Sequence, residues 1–326
     1  MHLSIEDLPS PTLARIREGL ERVTERFERE LRSDLPCVDD LCAQVERYRG
    51  KMLRPTLVFA CGLATGRMDV TEAHVVSATV VEMVHMATLV HDDVLDEAET
   101  RRGGRTLNRL RGNEAAVILG DYLIASAFRL CSTLEDRRVA LLVGETSRTL
   151  CAGELLQLHR RGDASLDEAA YFAIIERKTA SLIGLSCRLG GMASGAGEET
   201  CGLLEEAGRR LGSAFQIQDD VLDLTGRESV LGKPVGRDLA MGKLTLPLIR
   251  HLASLRGLDR GEALALLETP GAREQITSRL AGDIEHVRGL ARELAAEAAG
   301  LIERLPDSPG KGLLGAMARV VVERSA

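Results

Sequence analysis

No proline occurs over residues 56–233, more than half of the chain, while Leu, Ala, Glu and Arg are abundant there. Proline inside a helix costs about 3 kcal/mol, and these residues lose least on becoming helical. Period-two alternation bounded by turn residues is hard to find, so the chain reads as all-α. The expected helices cover about 10–32, a shorter segment ending near RYRGK, RPTLVFACGLATG (54–66) with Pro55 in its first turn and a Gly at its end, and 70–99. They continue at 112–131, 136–160, 166–193 with a capping box in SLDE (Ser165 to Glu168), 198–224, 244–256 and 271–305, then a short terminal helix. Gly103 and Gly104 mark a loop, and GRESVLGKPVGRDLAMGK (226–243) a longer one of the kind that carries function. One domain over 1–326 is expected, a helical bundle around a deep central cavity, with no linker or fixed-period repeat.

Composition excludes several classes. A net charge of −7 disfavours nucleic acid as the main partner. The seven cysteines are odd in number and lack a CxxC pair, which disfavours a disulfide framework and a zinc site and fits a reducing cytoplasm. The most apolar segment, HVVSATVVEMVHMATLV (74–90), is interrupted by Glu82 and His85 and runs into aspartates, so it reads as a buried bundle helix and not an integral membrane span.

The segment DDVLD occurs at 92–96 and again at 219–223. On a helix the first and last aspartates share a face and the middle one points about 100° away. Three carboxylates in so short a stretch repel one another, so a cation should compensate. A lone cluster of this kind is usually a solvated acidic patch, yet each copy here follows an apolar helix and the two are identical. Magnesium takes hard oxygen ligands, a carboxylate or two completed by water and phosphate. Two clusters facing each other across a cavity would hold a diphosphate through bridging metal. Lys51, Arg54, Arg101, Arg102, Lys178, Lys233 and Lys243 stand near the ends of apolar helices; singly each reads as surface charge, and their coincidence with the acidic pair is the argument.

GKMLRP, EMVHMATLVHDDVLD, RRGGRT, GNEAAVILGDYL, ERKTASLIG, FQIQDDVLD and GKPVGRDLAMGKLTLP, running from Gly50 to Pro247, together resemble the trans-polyprenyl diphosphate synthase family in order and spacing. The resemblance implies an all-α homodimer that joins isopentenyl diphosphate to an allylic diphosphate, with about three Mg²⁺ per site. It implies that Asp92, Asp96 and Asp219 bind metal, supported by Asp93, Asp220 and Asp223. Lys51, Arg54, His85 and Arg102 would bind isopentenyl diphosphate. Arg101, Lys178, Thr179, Gln216 and Lys233 would hold the allylic diphosphate, with Lys243 close by. His85 alone would read as an ordinary core histidine. Arg49, Met86 and Arg105 depart from the usual pattern, and bear on loop shape and cavity width.

Each residue back from Asp92 lies about 1.5 Å deeper along the helix, past Thr88, Ala87, Val84, Val81 and Val80. None is aromatic. In the family a ring four or five positions before the first aspartate marks short-chain enzymes, and the first cluster also lacks the two-residue insertion of many farnesyl and geranylgeranyl synthases. A medium or long product is expected, roughly C30 to C50 along such a shaft, with Phe128 or Tyr122 as candidate floor. The alternatives are a shorter-chain synthase, a subunit of a heteromeric synthase, and a class I terpene cyclase. Only 2% aromatic residues, a second DDVLD and a full set of ligands weigh against the last two.

Overall fold

The computed structural model describes residues 10–323 apart from 46, 47, 49, 68, 227–235, 268, 270 and 271. The helices are α1 (Ser10–Leu31), α2 (Pro36–Val45), α3 (Leu53–Ala64), α4 (Glu72–Leu95), α5 (Leu107–Arg111), α6 (Asn113–Cys131), α7 (Arg138–His159) and α8 (Glu168–Ile175). A π-turn at Glu176–Ala180 leads into α9 (Ser181–Ala193), followed by α10 (Glu198–Thr225), α11 (Arg237–Ala240), α12 (Leu246–Ser254), α13 (Gly257–Leu267), α14 (Arg273–Arg279), α15 (Ala281–Glu303) and α16 (Pro309–Glu323). Among the described residues the only sheet is the hairpin β1 (Thr100–Arg101) and β2 (Gly104–Arg105). The all-α expectation holds.

Four local expectations are corrected. The helix expected over 166–193 starts at Glu168, capped by the Asp167 carboxylate, which accepts from the Ala170 N–H at 2.8 Å. Ser165 does not cap it, because its N–H and hydroxyl both donate to Asp163. The same helix passes through the π-turn, and the helix expected over 271–305 is two, α14 and α15. Helix α13 is not among the expected helices: Gly257 and Gly261 lower the local helix propensity, and packing against α12 outweighs them.

The chain divides into two compact units. The first comprises Met1–Arg148, Leu182–Gly208 and Gly300–Met317. At its centre lies α4, packed on α6, α3 and α1 and buried along most of its length. Of the described helices α4 is the one long and apolar enough to cross a membrane, and its burial makes it a core helix. Helix α9 approaches α3 so closely that a Cβ on Gly190 would lie 2.9 Å from the Cys61 Cβ and 3.0 Å from the Val58 carbonyl carbon. Backbone cannot retreat as a flexible side chain can. Gly190→Val is therefore expected to lower stability by about 3 kcal/mol or more, read as a shift of the urea midpoint.

The second unit comprises Thr149–Ser181, Arg209–Ala299 and Ala318–Ala326. Ile174 and Ile175 of α8, Ile217 and Val221 of α10, Leu246 and Ile249 of α12, and Ile284 and Val287 of α15 form its core. That core anchors the end of α10, which carries the second DDVLD.

Candidate active site

In the first unit, α4 ends at the first aspartate cluster. The Ala98 N–H donates to the Asp93 carbonyl and the Glu97 N–H to the Val94 carbonyl, with Glu97 at φ 47°. This is a Schellman stop whose left-handed position, usually glycine, is held by glutamate. Asp92 and Asp96 are half-buried, and Asp93 is turned inward at 1% exposure. The Asp93 carboxylate takes three hydrogen bonds from Arg101, at 2.7, 2.9 and 3.1 Å. Arg101 is thus the compensating cation that carboxylate crowding called for.

Arg102 and Gly103 form the hairpin turn, with φ of 51° and 77°, and Arg101 pairs with Gly104 in register. Positive φ at both central residues is the type I′ geometry that joins two strands through two residues. The turn sends Arg101 toward Asp93 and Arg102 toward the Tyr48 carbonyl, to which its guanidinium donates. Tyr48 also lies beneath Arg101, 5.9 Å from the guanidinium carbon to the ring centre, and its hydroxyl accepts the Leu107 N–H at 2.7 Å. Sequence reasoning missed Tyr48, and nothing in its local pattern signals the role. Met52, at φ 51°, precedes α3 and Arg54. The three non-glycine residues with left-handed φ among the described residues, Met52, Glu97 and Arg102, all flank the segments expected to bind diphosphate. Such strain persists where surrounding structure over-determines it.

His85 is pushed well below the usual imidazole range by burial first and then by Arg54, Arg102 and Arg101. It is neutral at physiological pH. Burial also pulls Arg54 down to about 10, against the opposing pull of Glu82. Lys51 is exposed. Ala87 and Val84 are buried, whereas Thr88 is half-buried with its hydroxyl donating to the His85 carbonyl at 2.7 Å. Of the floor candidates, Phe128 lies beside Gly144 of α7, and Tyr122 feels the charges of Asp39 and Asp34 about α2. The two rings face different neighbours.

The second unit also buries its middle aspartate and, unlike the first, its last one as well. Asp219 is half-buried, while Asp220 and Asp223 are 6% and 5% exposed. Asp220 Oδ2 accepts from the Tyr171 hydroxyl at 2.7 Å and Oδ1 from Gln216 Nε2 at 2.8 Å. Gln216 Oε1 in turn accepts from the Thr179 hydroxyl at 2.9 Å. Burial, and then the charge of Asp238, raise Asp220 to about 8. Asp223 accepts from the Asp238 N–H at 3.2 Å. Lys178, in the π-turn, donates to Gln157 Oε1 at 2.9 Å and pairs with Glu154. A Cβ on Gly153 would lie 2.9 Å from the Lys178 nitrogen, so that glycine admits the widened turn. Lys243 is half-buried, and Lys233 lies outside the described residues. Tyr171, Glu154 and Gln157 were not foreseen; Glu154 and Gln157, spaced i, i+3 on α7, carried a signal that they share a face.

Among the described residues no three His, Cys, Asp or Glu side chains converge to cage a metal. The half-buried donors Asp92, Asp96 and Asp219 are all carboxylates, the hard oxygen ligands that suit magnesium, an ion that keeps waters and substrate phosphate in its shell. They fit that ion.

Residues 36–280 match the family model described as polyprenyl synthetase. The chain belongs to the polyprenyl synthetase family. It is 34% identical to octaprenyl diphosphate synthase of Haemophilus influenzae, over 94% of each chain. It is 34% identical to nonaprenyl diphosphate synthase of Mycobacterium tuberculosis, over 95% of this chain and 94% of that one. The solved decaprenyl diphosphate synthase of Rhodobacter capsulatus superposes with a TM-score of 0.89 at 33% identity, covering 96% of this chain and 98% of that one. As a polyprenyl synthetase the protein is a prenyltransferase of isoprenoid biosynthesis with the all-α fold of its relatives.

Proposed function

We propose that the protein adds isopentenyl diphosphate repeatedly to an allylic diphosphate, head to tail, making an all-trans polyprenyl diphosphate of medium or long chain. The observation that carries this is the sorting of carboxylates: in each DDVLD cluster the middle aspartate is buried and bonded within the protein, while Asp92, Asp96 and Asp219 are half-buried carboxylates of the kind that suit magnesium. Asp92 and Asp96 in the first unit and Asp219 in the second are the magnesium ligands of this reading. The bound ion supplies charge that stabilises the departing diphosphate.

The protein's own groups supply the rest. Lys51, Arg54, Arg102 and the neutral His85 bind isopentenyl diphosphate; His85 donates a hydrogen bond there without adding charge to the arginine cluster. Arg101, Lys178, Lys233 and Lys243 are the cations of the allylic diphosphate in this reading, where fixed positive charge favours the charge that builds on the leaving oxygen. The chain Thr179 to Gln216 to Asp220, closed by Tyr171, locks the Gln216 amide so that its oxygen and that of Thr179 present dipoles to the allylic cation. The double bond of isopentenyl diphosphate attacks that cation, and loss of a proton to the departed diphosphate gives the (E)-alkene. Asp93 and Asp223 hold loops in place.

Incubation of purified protein with isopentenyl diphosphate, a series of allylic primers and Mg²⁺ is expected to yield extended all-trans products; absence of any condensation with every primer would sink the reading. Ala87 is fully buried on α4, and Ala87→Phe is expected to shorten the main product by two or more isoprene units as a ring of roughly 150 Å² or more fills the shaft. An unchanged product ladder by mass analysis would count against the shaft. We read 1–326 as one polyprenyl synthetase domain, since the matched segment 36–280 draws on both compact units. We also read the protein as a cytoplasmic homodimer; the exposed Val117 and Ile118 of α6 and Leu141 of α7 support an apolar self-contact, which sedimentation equilibrium would test.

A further inference from the structure

Arg101 and Arg102 are neighbours in the chain, yet the roles proposed above send one to the allylic diphosphate and the other to isopentenyl diphosphate. Two adjacent guanidinium groups repel each other, and Arg102 is pulled below its usual range by burial first and then by the charge of Arg101, against the opposing pull of Glu82. Something must hold the two in separate places. Tyr48, 4% exposed, touches both. Its ring lies beneath the Arg101 guanidinium, 5.9 Å from carbon to ring centre, within reach of a cation–π contact. Its main-chain carbonyl accepts from the Arg102 guanidinium.

The tyrosine side chain is anchored at its far end. Its hydroxyl accepts the Leu107 N–H at 2.7 Å, and Leu107 opens α5. Thr106, the N-cap of that helix, makes no cap hydrogen bond, because its hydroxyl donates to the Ala98 carbonyl at 2.5 Å. Tyr48 therefore satisfies an N–H that a helix start leaves orphaned. Burial foremost, and then Asp93 against that N–H and Arg101, pushes the phenol up to about 12, so the hydroxyl keeps its proton, facing the Asp93 carboxylate. Hydrogen bonds to Asp93 fix the Arg101 guanidinium within its own plane, and the ring limits tilting out of it. The Arg102 guanidinium in turn lies over Gly50, where a Cβ would come 2.3 Å from its terminal nitrogen.

We propose that Tyr48 is a positioning residue: its ring holds the Arg101 guanidinium for the allylic diphosphate, while its main-chain carbonyl turns Arg102 toward isopentenyl diphosphate. This rests on the substrate roles proposed for the two arginines. Arg101 depends on the ring, which a substitution can remove; Arg102 depends on a main-chain carbonyl, which every residue carries. Loss of the ring therefore harms one substrate and spares the other. The hydroxyl serves the fold alone, since its loss leaves the Leu107 N–H buried without that acceptor.

The test is calorimetric titration of the purified protein in Mg²⁺ with farnesyl diphosphate alone or isopentenyl diphosphate alone, so that no condensation takes place. Tyr48→Phe keeps the ring, and both dissociation constants are expected to match wild type while the melting temperature falls. Tyr48→Leu is expected to raise the dissociation constant for farnesyl diphosphate about 5-fold, the scale of one cation–π contact, and to leave that for isopentenyl diphosphate unchanged. In an Arg101→Gln background, Tyr48→Leu and Tyr48→Phe should bind farnesyl diphosphate alike, because the ring acts through that guanidinium. Tyr48→Met takes the place of Tyr48→Leu if the latter does not fold. The proposal is overturned if loss of the ring weakens both substrates equally or neither, if Tyr48→Phe weakens farnesyl diphosphate as much as Tyr48→Leu does, or if the effect of the ring persists without Arg101. A protein that condenses the two substrates yet shows no such split keeps the reaction and loses this role for Tyr48; one that shows the split but condenses nothing does the reverse.

Discussion

Asp92→Ala is expected to lower the prenyl-transfer rate by about 10³-fold, roughly 4 kcal/mol of activation free energy, with no loss of melting temperature. Asp92 sits in the last turn of α4, where the helix dipole is negative and Asp93 and Asp96 are near neighbours. A negative side chain there is electrostatically unfavourable, worth a few tenths to about 1 kcal/mol. Removing it relieves the helix and deprives the metal of a ligand. Asp93→Ala should do the opposite. Its carboxylate is buried beneath Arg101 with three hydrogen bonds, and its loss leaves a guanidinium with no counter-charge in a partly desolvated place. Breaking such a pair costs about 3–5 kcal/mol when fully buried. Arg101 is 27% exposed, so the lower end of that range applies, seen as a drop in urea midpoint. Measured side by side, the two variants should fall in different columns: rate for Asp92, stability for Asp93. If Asp92→Ala keeps wild-type turnover at saturating Mg²⁺, the metal assignment fails.

Acid should destabilise the first unit through His74. This imidazole is 1% exposed; its Nδ1 accepts the Thr71 N–H at 3.2 Å, which leaves the proton on Nε2 to donate to the Ser194 hydroxyl at 2.9 Å. Ser194 passes its own proton to the Gly62 carbonyl at 3.0 Å. Helices α3 and α4 and the end of α9 are thus joined through one neutral ring, and a Cβ on Gly62 would lie 2.7 Å from its Cδ2 carbon. Burial, aided by Arg67, lowers the His74 pKa to about 4. Between that value and the ordinary 6.5 the unfolded chain binds the proton more readily than the folded one. The stabilisation is complete above pH 6.5 and is lost as pH falls toward 4, by about 3 kcal/mol in all. Urea unfolding at pH 7.5 and 4.5 checks this, with His74→Gln as reference because carboxylates also titrate at the acid end. Wild type should lose roughly 3 kcal/mol more than the variant across that interval; equal losses would show that His74 is not the group concerned.

Much of this protein was readable in advance, for identifiable reasons. Helices α6, α7 and α10 lie within two residues of their expected bounds, since each is a long, proline-free amphipathic run. The short α13 escaped notice because two glycines spoke locally against a helix that packing favours. The π-turn at Glu176–Ala180 left no local mark either; it depends on Gly153, more than twenty positions earlier, making room for the Lys178 backbone.

The one-dimensional order of residues determined that the chain is helical and that Asp92 and Asp96 share a face, because backbone dihedrals and a 3.6-residue repeat are local properties. It also determined which oxygen-rich clusters exist. Only tertiary structure decided that Asp93 would be claimed by Arg101, Asp220 by Tyr171, and that His85 would be neutral among three arginines. Those outcomes depend on desolvation and on partners brought together by packing, and neither quantity exists until the helices have docked.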